Sequence, residues 1–250
     1  MAAARPIVGL VSLIILAGGI LLQFFIILSG SINSSPENLV YFLQATTNGI
    51  SNARNPTRWT YFALCGVDGN NHNTDCGSPV PALPFDPKRN FGTTDGIPES
   101  LMSGNRYYLL SRFSWVFFLV ALIFSILTLL TALLALCSRL GAFLTSGLAT
   151  LAFVFQALAA ALMTSWVIMG RNAFRSSGQD ASIGRYAMGF AWASVACFLI
   201  NMVLGCIGGV TGGKSDSTSY KAPRKGFFGR KQSTRSRGSF RDNRIKDDYS

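Results

Sequence analysis

The sequence predicts an all-α membrane protein, a four-helix transmembrane bundle carrying a small extracellular β-sheet. Three observations predict it: four long apolar stretches without interior charge, a polar connection over residues 29–112 that holds two cysteines, and a basic tail over residues 211–250. The hydrocarbon core of a bilayer is about 30 Å thick and needs about 20 apolar residues at about 1.5 Å rise each.

Each stretch meets that length in turn. Residues 1–6 form a short cytoplasmic N-terminus before the first span, 7–28, which has no charge and one strongly polar residue, Gln23. The second span, 113–136, opens with the interfacial aromatics Trp115, Phe117 and Phe118. Residues 137–147 make a short cytoplasmic turn and the start of the third span, 148–169, which holds Gln156 and ends with Trp166 ahead of Arg171. A second outer connection, 170–185, leads to the fourth span, 186–210, which begins with Tyr186, Phe190 and Trp192. Backbone amides in lipid must pair within their own segment, so the spans are helices. A cleaved signal peptide is the competing reading of the first, because Ser29-Gly30-Ser31 offers small residues for cleavage. Its apolar run is about twice the usual length, and Arg5 is its only flanking charge, so a retained anchor is favoured.

Charge then sets orientation. The tail holds eleven Lys and Arg against four Asp, a net of +7, and Arg5 and Arg139 flank the other inward ends, so both termini face the cytoplasm. Arg171, Arg175 and Arg185 against Asp180 run counter to that rule on the outside, but the tail and the even number of spans outweigh them. The chain's +11 is mostly tail, and the first outer connection is neutral, with six basic and six acidic residues. A tail tethered at the inner leaflet meets anionic lipid first, so no nucleic-acid partner is expected.

No Asp, Glu, Lys, Arg or His lies inside a span. Catalysis at depth, proton-coupled transport and charge-ring channels all need such groups, so neither an enzyme nor a cofactor is expected. Gln156 and Asn201 read as hydrogen-bond partners between helices, and Gly205 and Gly209 permit close helix approach. Packing within one chain is the expected use of these surfaces, with a homo-oligomer retained as a hypothesis.

The sharpest local pattern is Arg58-Trp59-Thr60-Tyr61-Phe62-Ala63-Leu64-Cys65-Gly66, followed by Asp68-Gly69-Asn70-Asn71 and Cys76-Gly77. Two cysteines on the oxidising face, separated by turn-forming residues, read as a Cys65–Cys76 disulfide closing a hairpin or short loop. His72 is the only histidine, so a metal site is the weaker reading. The alternation of Trp59, Tyr61 and Ala63 with Thr60, Phe62 and Leu64 predicts a strand in a small sheet. The proline-rich run from Pro79 to Pro87 is expected to wrap over that sheet in extended form. Asn33-Ser34-Ser35 is a candidate glycosylation sequon, placed where access near the first span is poor.

A four-span chain with a long first outer connection, an aromatic segment around Trp59, then Leu64-Cys65 and Cys76, resembles the claudin-like superfamily. The segment from Arg58 to Gly69, with Trp59, Leu64, Cys65 and Gly66 at its centre, more narrowly resembles the fungal Sur-seven/PalI family. The likeness covers roughly residues 1 to 212. It implies a plasma-membrane protein of eisosomes, the static furrow-like domains of the fungal cortex, with eisosome proteins and sphingolipids as partners and roles in endocytosis, lipid organisation and cell-wall integrity. Likeness to claudins proper is looser, because Phe62-Ala63-Leu64 replaces the Gly-Leu-Trp that precedes the first cysteine there. The PalI branch implies instead an accessory in ambient-pH signalling.

The tail adds a testable device. It lacks apolar periodicity, and its clusters Arg224-Lys225 and Arg230-Lys231, with Arg235 and Arg237 beyond, flank Phe227 and Phe228. Basic residues near an anionic leaflet gain about 1 kcal/mol each, so a disordered lipid-binding tail is expected. Ser233, Ser236 and Ser239 lie among arginines as candidate phosphorylation sites, each adding about −1.5 to −2 charge. Phosphomimetic changes at all three are expected to weaken tail binding to anionic liposomes; binding unchanged by them, or by salt, would contradict the electrostatic switch. Cys137 and Cys206 sit near the cytoplasmic boundary as candidate palmitoylation sites, and Cys197 reads as a packing residue.

Overall fold

The computed structural model of the chain describes residues 4–32, 34–135 and 139–211. The four apolar stretches form α1 (Ala4–Ile27), α4 (Arg106–Ala135), α5 (Arg139–Ser176) and α6 (Arg185–Thr211). All four are long and apolar enough to cross a membrane, over Ile7–Ile27, Arg106–Leu133, Leu144–Ser176 and Arg185–Gly205. Side chains such as Ile14, Leu21, Ile123, Leu130, Leu151 and Val203 point outward from the bundle. An apolar surface of this kind belongs against lipid tails rather than water.

In the bundle α1 packs on α4 and α6, and α5 packs on the same two, closing a ring of four helices. Polar groups cross its centre. The Gln23 amide of α1 donates from Nε2 to Gln156 Oε1 of α5 at 2.8 Å and to the Phe118 carbonyl of α4 at 2.8 Å. Gln156 Nε2 donates to Ser194 Oγ of α6, and Ser125 Oγ of α4 reaches Gln23 Oε1 at 3.5 Å. One buried network of neutral groups therefore joins all four helices. A second tie, Ser12 Oγ donating to Asn201 Oδ1 at 2.6 Å, links α1 to α6. Gly19 lies so close to Cys197 and Phe198 of α6 that a Cβ there would collide, whereas Gly205 is exposed and reaches only van der Waals distance from Ser146 of α5. We expect Gln156→Leu to destabilise the bundle by about 1–2 kcal/mol, because it removes one buried hydrogen bond from the Gln23 amide and one from the Ser194 hydroxyl. Adding Gln23→Leu is expected to cost less than a second full increment, since both partners are then apolar. Thermal unfolding in micelles checks this, and strictly additive losses would show that the two amides act independently.

At one end of the bundle the long connection and the short one build a single antiparallel sheet. Its strands are β1 (Leu43–Ala45), β2 (Thr57–Trp59), β3 (Leu64–Val67), β4 (Asn73–Thr74) and β5 (Ala181–Ile183), in the order β4-β3-β2-β1-β5. The register places Gln44 opposite both Arg58 and Ser182, and Leu43 opposite both Trp59 and Ile183. Alternation along each strand thus gives one polar face and one apolar face turned to the bundle. Two short helices, α2 (Pro87–Phe91) and α3 (Glu99–Met102), follow the proline-rich run. Asp86 caps α2 by accepting from Arg89 N, and Pro87 occupies the first turn, where its missing N–H is harmless.

The structure revises several expectations. Residues 59–64 are not one strand: Thr60 N and Oγ1 both donate to the Ala63 carbonyl, turning the chain sharply between β2 and β3. A threonine hydroxyl does there what glycine or asparagine does in commoner hairpin turns. The helices also outrun the lipid spans, α4 starting at Arg106 and α5 reaching Ser176, so part of 170–185 is helix and its remainder supplies β5. Gly184 has to be glycine, because a Cβ there would collide with the Tyr41 carbonyl as α6 begins beside β1. Gly30, at φ +80°, ends α1 and lets Thr60 approach its backbone.

Candidate functional site

The segment singled out by sequence, Arg58 to Cys76, forms the centre of the sheet. Cys65 of β3 and Cys76 just beyond β4 are joined by a disulfide across eleven positions. It closes the β3–β4 hairpin, whose turn is shaped by Asp68 Oδ1 accepting from Asn70 N at 2.9 Å and His72 N at 2.7 Å. Those bonds, His72 first, hold the Asp68 carboxyl below its ordinary pKa.

Trp59 projects from the apolar face and is 1% exposed. Phe85, Phe91 and Phe174 surround its ring at centroid distances of 5.4, 5.9 and 5.5 Å, and its Nε1 donates to Asn90 Oδ1 at 3.3 Å. Phe85 in turn stacks on Trp166 of α5 at 5.2 Å, and Phe42 lies edge-on to the same indole at 5.8 Å. The aromatic core is therefore shared between sheet and bundle. Polar clamps reinforce it: Tyr61 OH pairs with Ser114 Oγ of α4 at 2.8 Å, and Phe85 N donates to Ser111 Oγ at 2.9 Å. The same burial raises the Tyr61 phenol above its ordinary range. Ser29, at the end of α1, accepts from Phe62 N at 3.1 Å and Tyr61 N at 3.2 Å. Sheet and helix ends thus form one rigid junction.

Arg58 points to the other face and is 0% exposed. Its guanidinium lies 4.0 Å from the Tyr41 ring centroid and donates to Gln44 Oε1 at 2.8 Å, Asn71 O at 3.0 Å, Asn73 Oδ1 at 3.1 Å and Asn71 Oδ1. Every acceptor is neutral. Burial lowers the Arg58 pKa, and Tyr41 and the more distant Asp68 pull it back up. This set was not legible in the sequence, since β1 and the β3–β4 hairpin supply it, and an arginine directly before the motif tryptophan was the only signal.

Glu37 is the second unforeseen group. It sits in a single 3₁₀ turn, Glu37–Leu39, packed against β4, is 8% exposed, and its Oε2 has no hydrogen-bond partner among the described residues. Burial pushes its pKa up to about 7. A raised acid pKa means the fold prefers the protonated carboxyl, so this contribution is complete below about pH 4.5 and is lost as pH rises through about 7. Glu37→Gln is expected to match the parent near pH 4.5 and to exceed it by up to about 3 kcal/mol at pH 8. Unfolding midpoints in micelles across that range are the check; parallel curves for the two proteins would contradict it.

Of the other sequence-derived candidates, Leu64 and Gly66 lie in β3 beside Cys65. Asn33, Cys137 and the tail positions Arg224, Lys225, Phe227, Phe228, Arg230, Lys231, Ser233, Arg235, Ser236, Arg237 and Ser239 lie outside the described residues, as does the Cys206 side chain.

Comparison with known proteins bears on what this arrangement is. A family model described as the SUR7/PalI family matches residues 8–204, which takes in the spans and the sheet. Protein SUR7 of Candida albicans is 39% identical over 212 residues, covering 84% of this chain and 75% of that protein. Protein SUR7 of Saccharomyces cerevisiae is 36% identical over 196 residues, 78% of this chain, which spans only 65% of that relative's length. An uncharacterized plasma membrane protein of the same yeast is 31% identical over 202 residues, 80% of this chain and 67% of its own.

Proposed function

The chain belongs to the SUR7/PalI family, and from that premise we propose that it is a non-enzymatic tetraspan scaffold of the fungal plasma membrane, organising eisosome-type domains. The observation that carries the reading is the bundle interior. Gln23, Gln156, Ser125 and Ser194 bond to one another across all four helices, so the polar groups at depth stabilise a fixed bundle. A rigid junction then presents the disulfide-closed sheet on the oxidising side, with both termini in the cytoplasm.

In this reading the basic tail engages anionic inner-leaflet lipid, eisosome proteins and further copies of the chain are its partners, and effects on endocytosis, lipid organisation and cell-wall integrity follow from patch assembly. The plasma-membrane description of one relative supports the location. A fluorescently tagged copy expressed in a fungal cell tests it. Static cortical patches are expected, whereas a freely mobile or endosomal signal would refute the scaffold.

Glu37 favours a second reading, an accessory in ambient-pH signalling, because a buried carboxyl beside the sheet changes charge near neutrality. Glu37→Gln separates the two: a scaffold tolerates it, and a sensor loses its response to alkaline shift.

A further inference from the structure

Arginines gather at the sheet end of the bundle: Arg106 and Arg112 on α4, Arg171 and Arg175 on α5, and Arg185 at the start of α6. This placement opposes the usual bias of basic residues toward the cytoplasm and is not explained by the tail. Most of these side chains are engaged. Arg171 bonds to Asn172 at 3.0 Å, Arg175 donates to the Ala181 carbonyl at 2.9 Å, and Arg112 lies over the Tyr108 ring at 4.9 Å. Arg185 is exposed and has no hydrogen bond or ion pair among the described residues.

Arg185 lines a groove of about 730 Å³ on the polar face of the sheet, together with Tyr41, Gln44, Asn71, Ser182 and Tyr186. The volume suits a small ligand. Tyr41, Gln44 and Asn71 also enclose the Arg58 guanidinium, so a buried cation matched only by neutral acceptors stands directly behind the groove wall. Among the described residues no Asp or Glu lines the groove: Asp180 faces an adjoining hollow of about 220 Å³ beside Arg175, and Asp68 acts on Arg58 from the β3–β4 hairpin without lining the groove. One cation behind and one in front make the groove complementary to an anion.

Its depth selects the kind of anion. The α6 span begins at Arg185, and Tyr186, 52% exposed, stands where an aromatic side chain meets the membrane–water interface. About 10 Å further along α6, Trp192, 48% exposed, offers an aromatic face to acyl chains of the same leaflet.

We propose that this groove binds the headgroup of a lipid in the leaflet on the sheet side, one that carries an anionic phosphodiester and a hydroxyl-bearing polyol. Arg185 takes the phosphate, as guanidinium groups do with planar two-point donation. Gln44, Asn71 and Ser182 meet the hydroxyls, and Tyr41 and Tyr186 wall the polyol on either side. The site goes beyond patch assembly and stands or falls separately: headgroup retention is read on the isolated chain, assembly by fluorescence in cells.

The test is native mass spectrometry of the full chain released from micelles after incubation with equal concentrations of phosphatidylinositol and phosphatidylcholine. Phosphatidylinositol is expected to be retained about ten-fold over phosphatidylcholine. Arg185→Gln, an exposed position, is expected to lose most of that preference with an unchanged unfolding midpoint, and Arg171→Gln to keep it. Equal retention of the two lipids, full retention by Arg185→Gln, or equal loss from Arg171→Gln would overturn the site. So would retention of a neutral oligosaccharide in place of either lipid.

Discussion

Trp59→Ala is expected to destabilise the sheet by about 3–5 kcal/mol, the range for removing a large aromatic side chain from a packed core. The ring is almost wholly buried, and the residues around it, Phe85, Phe91 and Phe174, come from the proline-rich run, α2 and α5. The cavity cannot collapse easily, because Phe85 is held by Trp166 and by Ser111. Loss of Trp59 also removes one of the two donors, Trp59 Nε1 and Asp86 N, from which the Asn90 amide oxygen accepts. Since the helices keep their own network, the expected phenotype is a loosened sheet on an intact bundle. Near-ultraviolet circular dichroism should fall while far-ultraviolet helicity persists, and delivery to the cell surface should drop. Trp59→Phe, which retains most of the apolar area, is expected to recover much of the loss. An unchanged unfolding midpoint for Trp59→Ala would mean that the sheet and bundle are not packed as one unit.

Removing the disulfide is the second large effect. For a loop as short as the one between Cys65 and Cys76, chain-entropy reasoning gives about 3 kcal/mol. The consequence reaches beyond the hairpin, because Asn71 and Asn73 accept hydrogen bonds from Arg58 and both lie inside that loop. When the hairpin frays, the buried guanidinium loses acceptors while remaining charged, and leaving such a group unpaired is costly. The double variant Cys65→Ser/Cys76→Ser is therefore expected to lower the midpoint of the sheet transition and to make the Asp68–His72 turn sensitive to protease. Reductant should bring the parent to the same state and leave the variant unaffected. A parent insensitive to reductant would show that the hairpin is held by its backbone ladder alone.

The helices and the disulfide were legible in the sequence for a simple reason. Apolar length is a property of consecutive residues, and two cysteines eleven apart with turn-forming Gly and Asn residues between them have few other uses. The polar partnership of Gln156 and Asn201 was legible as a need, since lipid cannot satisfy an amide, but the partners were not. Gln23 pairs with Gln156 across 133 positions, and Ser12 with Asn201 across 189. The strand expected over residues 59–64 failed because the turn at Thr60 and Ala63 uses a side-chain hydroxyl and contains none of the residues that usually mark turns. The second connection looked like plain loop because β5 has only three residues, and it becomes a strand only by pairing with β1.

By itself, then, the sequence determined a four-span membrane chain with a disulfide-closed segment between the first two spans, because hydropathy, charge and short spacings act locally. Only the tertiary structure decided that Arg58 is buried among neutral acceptors, that Glu37 is raised toward neutrality, and that Arg185 faces a groove backed by a second cation. Those properties depend on which distant groups exclude water from a charge, and desolvation is set by packing in three dimensions rather than by neighbours along the chain.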